Sequence, residues 1–103
     1  GGAFETSAGK KFGRSAYEQR FFEDENFTLK HTGPGLLSMT NMGPNRNGSQ
    51  FFIMLTKAAF MDGRHVVFGK ITKGMDVLKT MASYGTISGK PTAEVVIDKC
   101  GVL

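Results

Sequence analysis

The chain has 103 residues, 40% of them hydrophobic and 21% charged, with a formal net charge of +4. That length holds one domain or part of one, and its mix of apolar and charged residues excludes a disordered polyelectrolyte. No apolar run of about eighteen residues is present to span a membrane. The single cysteine, Cys100, cannot close an internal disulfide and fits a reducing compartment.

Taken in order, the chain opens on Gly1-Gly2-Ala3-Phe4, with neither an initiator Met nor a signal peptide. The expectation is a processed, truncated or partial chain that has lost any targeting segment. Residues 1–19 lack sustained periodicity and read as mostly loop, with Phe4, Phe12 and Tyr17 as aromatic anchors. Residues 21–26 form an acidic turn between aromatics. Asp24-Glu25-Asn26 superficially looks like a carboxylate pair but reads as scaffold, and Phe22 and Phe27 are expected to face the core.

Residues 36–40 and 50–55 are strands by residue type and by their turn boundaries. Asn41-Met42-Gly43-Pro44-Asn45-Arg46-Asn47-Gly48-Ser49 between them is nearly all turn chemistry: Gly supplies positive φ, Pro fixes φ, and Asn tolerates the left-handed region. Polar groups on so short a joint can be aimed at a ligand. In the second strand Phe51 and Ile53 share one face, and Gln50, Phe52 and Met54 the other. Met39, Phe51 and Ile53 read as core.

A connection over 57–64 leads to a third strand at 66–71. Lys73-Gly74-Met75 opens a helix with Met75, Leu78, Met81 and Ala82 on one face, closed by Ser83-Tyr84-Gly85. Its Met stripe reads as core filling. Ala93, Val95 and Ile97 alternate with Glu94, Val96 and Asp98, which predicts a last strand. The pattern is mainly β with one helix. The basic residues are scattered and make no aromatic-interleaved stripe, which argues against nucleic acid. Two His and no CxxC argue against a metal site, and no cofactor motif is present.

Gly33-Pro34-Gly35, Leu37-Ser38-Met39, Gly43-Pro44-Asn45 and Asn47-Gly48-Ser49-Gln50-Phe51-Phe52-Ile53 follow one another in a register that closely resembles the cyclophilins, the cyclosporin-binding peptidyl-prolyl cis–trans isomerases. The likeness extends upstream through Phe22-Glu23-Asp24-Glu25-Asn26-Phe27 and Lys30-His31-Thr32. Downstream it runs through Asp62-Gly63-Arg64-His65-Val66-Val67-Phe68-Gly69-Lys70 to Cys100-Gly101. It implies a single partial domain over 1–103: the C-terminal portion of an eight-stranded antiparallel β-barrel, with one of its two capping helices. Half a barrel leaves raw edges, so a companion chain or larger complex is expected to complete it.

The resemblance implies rotation about X–Pro bonds of proline-containing peptides or proteins, in protein folding, chaperoning or conformational switching. The alternative is a non-catalytic proline-binding or structural subunit of a larger assembly. By resemblance Phe52, Met61 and His65 line a proline slot with Phe60 at its rim, and Asn41 and Gln50 belong to a clamp for the substrate backbone. Thr40 and Met42 flank the clamp, where bulky Met42 narrows a side pocket for residues preceding proline. Phe60 stands where many members place a Trp whose indole donates to cyclosporin, so weakened cyclosporin affinity is expected. The family's Gly-rich loop is replaced by Lys10-Lys11-Phe12. The family's catalytic Arg is expected upstream of Gly1, and none of Arg14, Arg20, Arg46 or Arg64 matches its position. An intracellular setting, cytoplasm or mitochondrion, is expected.

Overall fold

The chain is described from a computed structural model at strands Phe4–Glu5 and Lys11–Phe12, residues 15 and 17, and residues 20–103. Residues 1–71 form one compact unit and residues 72–103 a second.

In the first unit, β1 (Phe4–Glu5) pairs antiparallel with β2 (Lys11–Phe12), so the stretch read as loop carries a short ladder. Lys10, in the segment that replaces the family's Gly-rich loop, lies outside the described residues. Tyr17 is no buried anchor: it is 67% exposed and meets Phe22 edge to face at 5.5 Å.

The main sheet has β3 (Leu36–Asn41) at its centre, flanked by β4 (Asn47–Ile53) and β5 (Val67–Lys70), all antiparallel. Both strands beside the joint reach further into it than their residue types suggest, which leaves a turn of residues 42–46. Asn45 takes the left-handed region (φ 58°) and Gly43 a φ of 121°. The Arg46 N–H bonds the Gly43 carbonyl at 3.2 Å and the Met42 N–H bonds the Arg46 carbonyl at 3.1 Å. Asn47 becomes strand because tertiary pairing overrides its turn preference. It exchanges backbone bonds with Phe22 at 2.9 and 3.1 Å, and its amide nitrogen donates to the Phe22 carbonyl and to Asp24. The acidic stretch, expected as a turn, instead runs without one and pairs by a single bridge at Phe22, which fastens it to the joint.

Among the described residues of this unit the buried apolar side chains are Met54, Ala58, Val66 and Val67, joined by three buried polar ones, His31, Ser38 and Asn47. Met39, Ile53, Phe22 and Phe27 are half-buried. Phe51, expected in the core, is 36% exposed and meets the exposed Phe68 edge to face at 6.2 Å. Alternation assigned Phe51 to a sheet face, but a face becomes core only where something covers it. Here Phe68 meets Phe51 and is itself 50% exposed, so the pair is only partly covered.

The second unit begins with α1 (Met75–Ala82), opened by Gly74 at φ 92°. Leu78 is buried and Met75 half-buried, while Met81 and Ala82 are exposed. The helix unwinds at Ser83, whose N–H reaches back to the Lys79 and Thr80 carbonyls, and Gly85 bonds Ala82. The strand expected over 93–98 does not form: these residues carry no ladder, and Val95, Val96 and Ile97 stay exposed. Alternation sets which way side chains point, but a strand also needs a neighbour for its backbone groups. The described elements make a mainly β chain with few helices. The main sheet has three strands, so eight-stranded closure is not built by these strands alone.

Candidate functional site

The expected site residues come from three elements: β3 and its turn, β4, and the connection from β4 to β5. That connection is held by its own backbone. A 3-10 turn at Ala59–Met61 leads into a tight reversal at Gly63 (φ 76°), and the Met61 carbonyl accepts from both Arg64 and His65 at 3.0 and 3.1 Å. Met61 and His65, four positions apart, are thus fixed with respect to one another.

Phe52 and His65 are brought into contact: their ring centroids lie 5.6 Å apart with planes at 81°, an edge-to-face arrangement. Both rings and Met61 are half-buried. His65 has its ring turned by a bond in which Nδ1–H donates to the Met39 carbonyl at 2.9 Å. Phe60 is 74% exposed.

Asn41 ties this connection to β3. Its amide nitrogen donates to the Arg64 carbonyl at 2.7 Å and its oxygen accepts from the Gly43 N–H at 3.2 Å. Its side chain is therefore spent on structure, and any grip on a ligand falls to its main chain. Thr40 donates its hydroxyl to the Gln50 carbonyl at 3.1 Å, beside the register shift between Met39 and Asn41. There the side chain supplies a cross-strand bond where the ladder is irregular. The Gln50 side chain is exposed, and Met42 is exposed at the start of the turn.

Behind Phe52 lies a buried polar cluster to which the sequence reading gave no role. The Asp62 Oδ1 accepts from the His31 backbone N–H at 2.7 Å and from His31 Nδ1 at 2.9 Å, while His31 Nε2 meets the Ser38 hydroxyl at 2.8 Å. The Ser38 hydroxyl also reaches the Val66 carbonyl, donating at 3.3 Å, so the cluster is tied to the strand that follows it. The Asp62 carboxyl is held below its ordinary pKa of 3.8, first by the His31 backbone N–H and then by the imidazole N–H. Ser38 is fully buried and His31 only 2% exposed, so this Ser-His-Asp constellation presents no nucleophile to solvent. The signal for it was long-range: His31 and Asp62 stand 31 positions apart, and no local spacing links them.

Among the described residues no group of three or more His, Cys, Asp and Glu is placed to hold a metal. None of the helices among them is long and apolar enough to cross a membrane. The arrangement offers aromatic and thioether surface, fixed main chain and no exposed activated nucleophile.

A family model described as cyclophilin type peptidyl-prolyl cis-trans isomerase/CLD matches residues 1–102. The structure is similar to that of a cyclophilin type peptidyl-prolyl cis-trans isomerase from Cryptosporidium parvum, with a TM-score of 0.77 and 40% sequence identity. The match covers 84% of this chain and 56% of that one, so the chain spans little more than half the length of its structural neighbour.

Proposed function

The chain belongs to the cyclophilin-type peptidyl-prolyl cis–trans isomerase family, and on that premise we propose that it binds X–Pro segments at the surface formed by Phe52, Met61 and His65 and promotes rotation about the prolyl amide. The supporting observation is the edge-to-face contact of Phe52 with His65, in a connection that also fixes Met61. Such a wall suits the flat, apolar pyrrolidine ring.

The chemistry asks for nothing the site lacks in kind. Resonance holds the amide planar behind a barrier of about 18–20 kcal/mol, and uncatalysed exchange takes tens of seconds or longer. Rotation forms and breaks no bond other than the partial double bond. A catalyst must bind the twisted amide better than either planar form. Phe52 and Met61 take the ring, the main chain at Asn41 holds the neighbouring backbone with Gln50 in support, and Thr40, Met42 and Phe60 border the groove. The twist restores a lone pair on the prolyl nitrogen, and a fixed cationic donor beside it stabilises that state in a dry pocket.

In this reading the donor is an Arg preceding Gly1. Arg20 lies over the Phe21 ring at 4.9 Å, and Arg64 lies beside the groove rather than in it. The rest of an eight-stranded barrel is supplied in the same way, by further sequence or a companion chain that covers Phe51 and Phe68. Action on folding or switching proteins inside the cell accords with the lone exposed thiol of Cys100.

The second reading is a proline-binding or structural subunit without catalysis, in keeping with a described site that presents apolar wall and no fixed cation inside it. Exchange NMR on a prolyl peptide separates the two. Accelerated cis–trans exchange supports the isomerase, whereas binding without acceleration supports the subunit. Absence of binding contradicts both.

A further inference from the structure

Beside the proposed groove lies a cavity of about 530 Å³ whose walls include Asp24, Phe27, Asn41, Pro44, Arg64 and His65. It shares Asn41 and His65 with the groove, but the cyclic side chain of proline has its place elsewhere, against Phe52. We propose that this cavity is a second recognition subsite that takes a carboxylate-bearing side chain of the same prolyl substrate, with Arg64 as its cation. The inference rests on the proposed prolyl binding.

The two charges in the wall differ in what they have left to give. Asp24 is committed: its Oδ1 accepts from the Asn47 amide at 2.7 Å and its Oδ2 from the Asn45 N–H at 3.0 Å. Its own N–H donates to Asn45 Oδ1 at 3.0 Å, which locks it to the turn. The Arg64 guanidinium has no hydrogen bond or ion pair among the described residues, and the residue is exposed. Five N–H donors in a planar fork are thus available, in a geometry that matches a carboxylate. Phe27 and Pro44 form apolar wall around it, where less water screens the pair.

The Arg64 backbone is fixed although its side chain is free. Its N–H is bonded to Met61 and its carbonyl to the Asn41 amide at 2.7 Å. The same Asn41 belongs to the proposed backbone clamp, so one residue registers the cation against the substrate chain. An extended peptide advances at most about 3.5 Å per residue. Since the cavity shares two walls with the groove, the selected side chain belongs within about two residues of the proline.

The test is a set of peptides built on an alanine-rich Ala-Ala-Pro-Ala-Ala core, with Glu or Lys replacing each alanine in turn, titrated into the isotope-labelled protein and followed by NMR. At one position Glu tightens binding about 1.5- to 5-fold over Ala and Lys weakens it. The gain shrinks at high salt. In Arg64→Ala the Glu-over-Ala ratio falls to one, in Arg64→Lys part of it returns, and in Arg64→Glu the preference turns to Lys. Equal binding of Glu, Ala and Lys peptides at every position overturns the subsite while leaving the prolyl reading intact. Failure of the all-alanine peptide to bind overturns both. A Glu preference that persists unchanged in Arg64→Ala assigns the selectivity elsewhere and also overturns it.

Discussion

The imidazole of His31 lies stacked against the ring of Phe52, with centroids 6.4 Å apart and planes within 11°. His65 meets Phe52 edge to face, so one ring is held between two imidazoles that are themselves oriented by hydrogen bonds. His31 is fixed through Asp62, the residue after Met61, and through Ser38, which lies opposite Phe52 in the ladder. The buried cluster therefore supports two of the three proposed groove residues from behind.

Truncation of His31 tests that support. In His31→Ala the Asp62 carboxylate loses the imidazole bond, the Ser38 hydroxyl loses one of its two partners, and a buried ring is deleted. The expected loss is about 3 kcal/mol of unfolding free energy, read by urea denaturation, with prolyl-peptide affinity falling as Phe52 loses its backing. A surface control, Lys79→Ala, should stay within about 0.5 kcal/mol. A His31→Ala loss no larger than the control's removes the cluster from the account.

Acid should act through Asp62. Its folded-state pKa lies below the ordinary 3.8, set first by the His31 backbone N–H. A carboxyl lowered in the folded state binds more protons when unfolded, so its contribution is fully present above that ordinary value. It is lost as pH falls through the folded value. Stability should therefore decline as pH falls below 3.8 and through the lower folded value, and Asp62→Asn should flatten part of that decline. Denaturation midpoints at stepped pH check it, and identical acid profiles for the two proteins refute it.

What was legible in the sequence, and what was not, divides along the range of the interactions involved. The joint after Asn41, the strands on either side of it and the helix at Met75–Ala82 rest on local chemistry: Gly and Asn at positive φ, alternation, and helical spacing closed near Gly85. Phe51 and residues 93–98 went the other way, because alternation is local but burial and strand pairing need a partner elsewhere. The His31–Asp62–Ser38 cluster left no local trace. The site residues were nominated through the family likeness, and the fold joins four of them in pairs, Thr40 to Gln50 by a hydrogen bond and Phe52 to His65 by ring contact, while Asn41 bonds Arg64, which the sequence reading did not nominate.

Cyclosporin affinity should respond to Phe60. Its ring is 74% exposed and carries no donor. Phe60→Trp adds an indole N–H, and one net hydrogen bond is worth about 0.5–1.5 kcal/mol. Calorimetric titration should show cyclosporin binding about 2- to 13-fold more tightly to the variant. Equal affinities contradict the assignment of Phe60 to the groove rim.

Met42 should act on selectivity rather than stability. Its side chain is 61% exposed at the start of the turn after β3. Met42→Ala should therefore change unfolding free energy by no more than about 0.5 kcal/mol. It should also widen the range of residues accepted before proline. Peptides with a large and a small residue at that position give the readout: their affinity ratio should move toward one in the variant, and an unchanged ratio counts against the narrowing role.

The most direct measurement titrates the labelled protein with an alanine-rich prolyl peptide and maps the shifts in its NMR spectrum. The largest should fall on Phe52, Met61 and His65, with Phe52→Ala abolishing them and replacement of proline by alanine in the peptide doing the same. Shifts centred elsewhere, or equal shifts with the proline-free peptide, would contradict a prolyl site at these residues.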